Sequence, residues 1–383
     1  MSKRKRVCID FNLVGALRHY GYLTGVGRTT LELVQTLAEI KDELPFDLVL
    51  YTQNLKGVKA DFLNLPFENK HLYLRNKSSI NKWISKLHLK EMLCQYDLFH
   101  IPHNFGYSAN YNKTIVTLHD VLFMRMQESV FGHENMKKEV PSFAHKVKGI
   151  ITCSEYSKKD MIETMNLDPE KIHVIPWGYN KTIFYQEQNR EELKYKIKKR
   201  FEIVNPYFIS VSCNAERKNT HVIIDNYIQL LSSGIEVKND LCLVWSPPAK
   251  IKERVDKSPY ANRIHFLKNI SDDDLRLLYN GATASIFLSL YEGFGLTLLE
   301  SMACGTPVIS SSSTSLSEIG GDAVVYVDPK NNEQIQQAML MFENQNVDKF
   351  FLIDKGLRQA NKFSWEKCAK ATASVYEQYL YQS

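Results

Sequence analysis

The stretch YEGFGLTLLESMACGTPV, residues 291–308, holds the densest chemistry in the chain, and its reading decides the fold. It follows an apolar run, ASIFLS (284–289), that reads as a buried strand. Glu292 is therefore placed at a strand's carboxyl end. Gly293 and Gly295 permit backbone angles closed to other residues and let a ligand approach the chain. A helix is predicted to start near Leu296 and stop at Gly305, with Pro307 beyond it. The N–H groups of Gly295, Leu296 and Thr297 then point out of a helix start, an end that attracts an anion and suits a diphosphate. Glu300 lies about one turn further in, within reach of a sugar hydroxyl rather than of the phosphate. Taken singly, Glu292 is a carboxylate favoured by the helix dipole and Glu300 an exposed polar position. Taken with the glycines, the helix start and the next apolar run, they read as a binding site.

Outward from this stretch the same alternation repeats. YFISVS (207–212), LCLVWS (241–246), RIHFLK (263–268), TPVISS (306–311) and AVVYV (323–327) read as strands between helical segments. The first half holds a similar series: RVCIDFNL (6–13), FDLVLYT (46–52), YDLFHI (96–101), KTIVTLHD (113–120), KGIITCSE (148–155) and KIHVIPWG (171–178). An amphipathic helix is expected over 28–40, and 186–200 reads as a charged linker feeding into a helix. Residues 363–382 read as one long helix capped by Ser364. The class is α/β: two parallel-sheet, Rossmann-like domains in tandem. The first domain is placed at 1–184 together with a C-terminal helix over 364–383 that crosses back to it, and the second at 185–363. Ligands of open α/β sheets bind outside the carboxyl ends of the strands, where the strand order reverses, so the expected site is the cleft between the domains.

The chain has 383 residues and 44% hydrophobic composition, enough for at least two packed cores. No stretch has the apolar length of a membrane span. Asp10, Asn12 and Arg18 interrupt the apolar core that a signal peptide needs, so a mature cytoplasmic N-terminus is expected. Seven cysteines are scattered singly, with no CxxC pair and no Cys/His spacing suited to zinc, and are expected as reduced, mostly buried thiols. The net charge of +5 does not point to nucleic acid; the excess is local, at 3–6, 75–90 and 194–200. Within the basic segment 75–93, Trp83, Leu87 and Met92 lie among lysines, which fits either a half-buried helix or attachment to an anionic membrane surface. Gly25 and Gly27 are read in a long loop between the first strand and the first helix. They do not make a dinucleotide fingerprint, because the third glycine position is Thr30, so a nicotinamide enzyme is not expected.

LYEGFGLTLLESMACGTPVISS followed by SEIGGDAVVYVDPKN resembles the nucleotide-sugar signature of glycosyltransferase family 4, whose members are retaining enzymes of GT-B architecture. The resemblance extends through AERKN and SDDDLRLLYNGA, and in the first half through TGVGRTT, FHIPHN, TIVTLHDV, CSEYSKKDM and KIHVIPWGYNKTIF. It implies that Glu292 and the backbone after Gly293 hold donor-sugar hydroxyls, that Glu300 binds the ribose, and that Gly293, Phe294, Gly295, Leu296 and Thr297 cradle the diphosphate. Arg217 and Lys218 match the basic clamp on the leaving diphosphate. Base contacts are expected near Asn269 and Ile270, the Gly25–Gly27 loop over the diphosphate or facing the acceptor, and His119 at the donor sugar. Two departures stand out. SVSCN lacks the Arg that many relatives carry after this strand's glycine, and Trp177 stands where they often have Asn.

Asp120 reads equally as a turn cap or a site residue. His103 and Asn104 end the neighbouring strand and are assigned to the acceptor side. The implied reaction moves a hexosyl group from a nucleotide diphosphate sugar to a hydroxyl of a glycan or lipid-linked saccharide. No metal and no cofactor is expected, since there is no DxD-type carboxylate pair. The resemblance is nearest to bacterial mannosyl- and rhamnosyltransferases of cell-surface polysaccharide synthesis, with peripheral contact at the inner membrane. A nucleotide-sugar epimerase or hydrolase, and a non-catalytic GT-B partner subunit, are the alternatives.

Overall fold

A computed structural model describes residues 4–20, 23–57, 59–104, 106–126 and 133–381. Lys3, at the head of the first basic run, and residues 382–383, at the end of the closing helix, lie outside the described residues. The chain divides into two units, residues 1–178 with 364–383, and residues 179–363. Residues 179–184, read from sequence with the first domain, fall in the second unit, where the Phe184 ring packs 6.4 Å from that of Tyr279.

The first unit is built on a seven-stranded parallel sheet: β1 (Arg6–Asp10), β2 (Asp47–Gln53), β3 (Glu68–Leu72), β4 (Leu98–Ile101), β5 (Thr114–Thr117), β6 (Gly149–Thr152) and β7 (Ile172–Val174). Its strand order is β3-β2-β1-β4-β5-β6-β7. Both faces are covered, so successive residues of one strand enter different cores. Val7 and Ile9 pack with Leu37 and Tyr376 on one side, and Cys8 with Val49, Phe99 and Val116 on the other. The helix Asn12–Tyr20 follows β1 directly, and Gly25–Glu39 is the next helix.

The closing helix, Trp365–Tyr381, belongs to this first unit. The Ser364 hydroxyl caps it by accepting the Lys367 N–H at 3.1 Å. It is pinned to the sheet through polar groups. The Tyr376 hydroxyl meets His100 Nδ1 at 2.6 Å, and His100 Nε2 meets Thr117 Oγ1 at 2.8 Å. The Tyr379 hydroxyl meets His173 Nε2 at 2.9 Å. Gly178 has no room for a side chain: a Cβ there would lie 2.1 Å from the backbone nitrogen of Trp365. The segment that leaves the first unit after β7 and the start of the helix that returns to it therefore abut backbone to backbone.

The second unit carries a six-stranded parallel sheet: β8 (Tyr207–Val211), β9 (Asp240–Val244), β10 (Ile264–Leu267), β11 (Ala284–Phe287), β12 (Val308–Ser311) and β13 (Val324–Val327), in the order β10-β9-β8-β11-β12-β13. Five of the six strands fall within the apolar runs read from sequence, and β9 starts one residue before its run, at Asp240. Phe208, Leu241, Ile286 and Ile309 lie in its core. The chain winds outward from β8 through β9 to β10, then returns to start again at β11. The order thus reverses between β8 and β11, as it does between β1 and β4 in the first sheet.

Candidate nucleotide-sugar site

In the second unit, the two loops that flank the reversal carry the residues singled out from sequence. The loop after β8 ends in a short turn, Glu216–Lys218, and the loop after β11 runs over 288–295. Two hydrogen bonds zip them together: Leu290 N–H donates to the Arg217 carbonyl at 2.7 Å, and the Arg217 side chain donates from Nη1 to the Tyr291 carbonyl at 3.1 Å. This brings Arg217, Lys218 and Glu292 into one half-buried cluster. Arg217 Nη1 lies 2.8 Å from Glu292 Oε2, and Lys218 Nζ lies 2.8 Å from Oε1, a charge contact outside hydrogen-bond alignment. The Glu292 side chain is only 12% exposed. Burial alone would push its carboxyl up, but the Lys218 and Arg217 charges outweigh burial, the Ser289 hydroxyl adds to them, and the carboxyl is held at about 2. Glu292 is ionised throughout the physiological range, and the cluster keeps one net positive charge.

Residues beyond the sequence reading fix this geometry. Glu292 N–H donates to Thr314 Oγ1 at 3.0 Å, and the Ser315 hydroxyl donates to the carbonyls of Glu292 at 2.8 Å and Phe294 at 2.9 Å. Thr314 holds a left-handed φ of 58°, which non-glycine residues seldom adopt. The signal for these partners was the serine- and threonine-rich run directly after β12, at another strand's carboxyl end.

The helix after Glu292 spans Leu296–Ala303. Gly295 caps it at φ 110°, and a Cβ there would lie 2.8 Å from Leu316 Cδ2, so the turn needs glycine twice over. With glycine at the cap, the cap residue has no side chain to satisfy the first-turn N–H groups. They remain available to an anion. Gly305, at φ 72°, ends the helix as expected. Glu300 is not an exposed polar position: it is 2% exposed on the second turn. Asn269 is exposed, at φ 54°, in the loop after β10, and Ile270 follows it half-buried. Their strand is separated from β8 by β9, so they lie on the same sheet edge but outside the Glu292 cluster.

In the first unit, the glycine loop of the sequence reading is corrected. Gly25 and Gly27 form the first turn of the helix Gly25–Glu39, because the Thr24 hydroxyl accepts the Gly27 N–H at 3.2 Å and caps the helix three residues earlier than periodicity suggested. Gly25 is exposed, and Gly27 is buried beside Leu23.

His119 follows β5 and is 6% exposed. Its backbone N–H donates to Asn104 Oδ1 at 2.8 Å, and its Nε2 lies 3.1 Å from the Pro102 carbonyl. A carbonyl only accepts, so Nε2 carries the proton and Nδ1 presents a lone pair. Nδ1 is buried with no hydrogen-bond partner among the described residues, and the ring lies 5.0 Å from that of Trp177. Burial lowers the His119 pKa to about 4, so the imidazole is neutral at pH 7. Asn104 therefore positions the His119 turn. Asp120 Oδ1 accepts the Leu122 N–H at 3.0 Å and caps the following turn. His103 is half-buried after β4, beside the reversal of the first sheet.

Comparison with known proteins agrees with this architecture. Residues 23–182 match the model of Glycosyltransferase Family 4, and residues 189–350 that of Glycosyl transferases group 1. The chain is 27% identical to O-antigen chain mannosyltransferase B of Escherichia coli over 374 residues, covering 93% of this chain and 96% of that one. The sucrose-phosphate synthase structure from Thermosynechococcus elongatus superposes with a TM-score of 0.76 at 17% identity, over 99% of this chain and 100% of that one. The structure of WaaG, a glycosyltransferase involved in lipopolysaccharide biosynthesis, gives 0.68 at 16% identity, over 96% and 99%. Both likenesses speak for the GT-B fold. With two matching family models covering its two halves in order, the chain belongs to glycosyltransferase family 4.

Proposed function

We propose that this glycosyltransferase is a retaining hexosyltransferase that takes a sugar from a nucleotide diphosphate donor and passes it to a hydroxyl of a glycan or lipid-linked saccharide in cell-surface polysaccharide synthesis. The observation that carries the reading is the Arg217–Glu292–Lys218 cluster at the reversal of the second sheet, beside a glycine-capped helix start. That combination offers positive charge and bare N–H groups to a diphosphate, with carboxylates beside it for hydroxyls. GDP-mannose is the first donor to test, supported by the mannosyltransferase name of the Escherichia coli relative; dTDP-rhamnose and UDP-sugars come next.

In this reading the bond between the anomeric carbon and the diphosphate oxygen breaks while the acceptor oxygen attacks from the same face. The acceptor's proton passes to the leaving phosphate. Arg217, Lys218 and the Gly293–Thr297 segment stabilise the charge that develops on the diphosphate, in the place of a metal ion. Glu292 orients donor-sugar hydroxyls, Glu300 the ribose, and the Asn269–Ile270 backbone the base. The neutral His119 offers Nδ1 to a substrate hydroxyl. Peripheral attachment at the inner face of the cytoplasmic membrane suits a lipid-linked acceptor. Among the described residues, no helix is long and apolar enough to cross a membrane.

The test is a thermal-shift panel of GDP, UDP and dTDP with their sugars, on the wild type and Glu300→Ala. A selective rise for one nucleotide, weakened in Glu300→Ala, is expected. The preferred donor then goes into a transfer assay with and without EDTA, with the product anomer read by NMR. No rise for any nucleotide refutes the reading, and loss of transfer in EDTA refutes its metal-independent form.

A further inference from the structure

We propose that the helix Ser78–Lys86 and the short helix Leu89–Cys94 after it form a docking surface for an anionic lipid bilayer. The first helix buries Ile84 and Ser85. Its outer face carries Trp83 and Leu87, one turn apart and 53% and 45% exposed, with Lys86 between them. Met92, on the second helix, is 69% exposed. Three large apolar side chains open to water within ten residues cost free energy that the fold does not recover by packing them.

The charge around them identifies the occupant. Residues 73–94 contain Arg75, Lys77, Lys82, Lys86 and Lys90 against a single carboxylate, Glu91, which pairs with His88. Lys90 is buried, and Lys82 is held by Glu139 at 3.0 Å. Arg75, Lys77 and Lys86 are exposed and form no ion pair among the described residues. A protein partner of mixed surface charge would not call for a Trp–Leu–Met ridge whose unpaired charges, among the described residues, are all cations. A bilayer with acidic headgroups does, because the apolar groups enter the interface while the cations stay with the phosphates.

The position of the surface is also specific. Asn81 Oδ1 accepts from Gln53 Nε2 at 2.8 Å, and the Gln53 N–H donates to Asn12 Oδ1 at 2.6 Å. Asn12 in turn donates to Asp10 Oδ1 at 2.6 Å. This relay ties the helix start to the carboxyl ends of β2 and β1, next to the reversal of the first sheet. Membrane docking here would present a lipid-linked hydroxyl at the sheet edge where such folds take ligands. The inference deepens the membrane-borne acceptor proposed above, and it is testable apart from that proposal.

The experiment is co-sedimentation of the full chain with phosphatidylcholine vesicles and with vesicles containing phosphatidylglycerol. Two variants, Lys77→Ala/Lys86→Ala and Trp83→Ser/Leu87→Ser/Met92→Ser, change only exposed side chains, and thermal melts verify their folding. Binding to the anionic vesicles alone is expected, falling with salt. Each lysine removed should weaken it about five-fold, or about 25-fold for the pair, and the apolar variant should abolish it. Equal binding to both vesicle types, or unchanged binding in either variant, overturns the proposal. So does absence of binding by a chain that still shifts with nucleotide, a result that leaves the transferase reading standing.

Discussion

Replacing Glu292 by Gln separates a structural ion cluster from a docking site for negative charge. In the wild type the carboxyl is held at about 2 against an ordinary 4.5. At about 1.4 kcal/mol per unit, ionised Glu292 contributes about 3 kcal/mol to the stability of the second unit. The folded-state value is the depressed one. The contribution is therefore complete above pH 4.5 and is lost as pH falls from there towards 2. Glu292→Gln at pH 7 also leaves Arg217 and Lys218, 23% and 16% exposed, without their carboxylate. Urea unfolding followed by fluorescence, with Trp245 buried in that unit's core as reporter, should show a loss of about 3 kcal/mol at pH 7. At pH 3 the gap should shrink to about half or less. The functional arm uses the same two proteins. The freed cations should take up phosphate charge, so a nucleoside diphosphate should raise the melting temperature of the variant at least as much as that of the wild type, while transfer activity is lost. A stability gap equal at both pH values, or a smaller nucleotide-induced rise in the variant, would refute the reasoning.

Arg217→Ala or Lys218→Ala should each weaken nucleoside diphosphate binding by about 10- to 100-fold, the value of a charge-assisted hydrogen bond, as titration calorimetry would read it. His119 is neutral above its folded pKa of about 4, so kcat/KM should show no limb from this residue between pH 8 and pH 5; a His119→Asn enzyme that gains or loses a limb in that range would contradict this. Burial also lowers His100, to about 3, so both imidazoles stay neutral in the fold while the unfolded chain protonates below 6.5. First-unit stability should then fall by about 1.4 kcal/mol per pH unit for each histidine as pH drops from 6.5 towards 4, measured by urea unfolding across that range. Tyr376→Phe strips His100 of a buried partner and should cost the first unit about 1–3 kcal/mol, with the second unit's transition unchanged.

The strands were legible because a parallel sheet covered on both faces turns each into a short β-branched run, and every such run read from sequence became one. The exception is β3: ENKHL is polar and half-buried at the sheet edge, so no run marks it. The start of the helix Gly25–Glu39 was misread because two glycines look like a loop, whereas a first turn tolerates them when Thr24 caps it. In the candidate site, the spacing of Glu292, Gly295 and Glu300 pointed to a ligand site. It did not show that Glu300 is buried, because helical periodicity assigns a carboxylate to the outside unless something compensates for its burial. The supports from Thr314 and Ser315 were legible only as a serine- and threonine-rich run after β12: they reach the Glu292 loop from the end of the next strand, and no local pattern encodes which group each one holds.

The helix Trp365–Tyr381 packs in the first unit although it is synthesised after the whole of the second. In the order of translation, the second unit is an insertion within the first. It is the one that holds all of its own strands and core before the closing helix is made, so it can reach its native state while the first still lacks a wall of its core. Until the helix arrives, Phe46 lacks its Tyr376 edge contact and His100 its hydroxyl partner. A ribosome stalled before residue 365 would thus display a finished second unit tethered to an unfinished first one. Damage to the last turns of this helix would be felt first in the first unit's sheet, on segments made long before it.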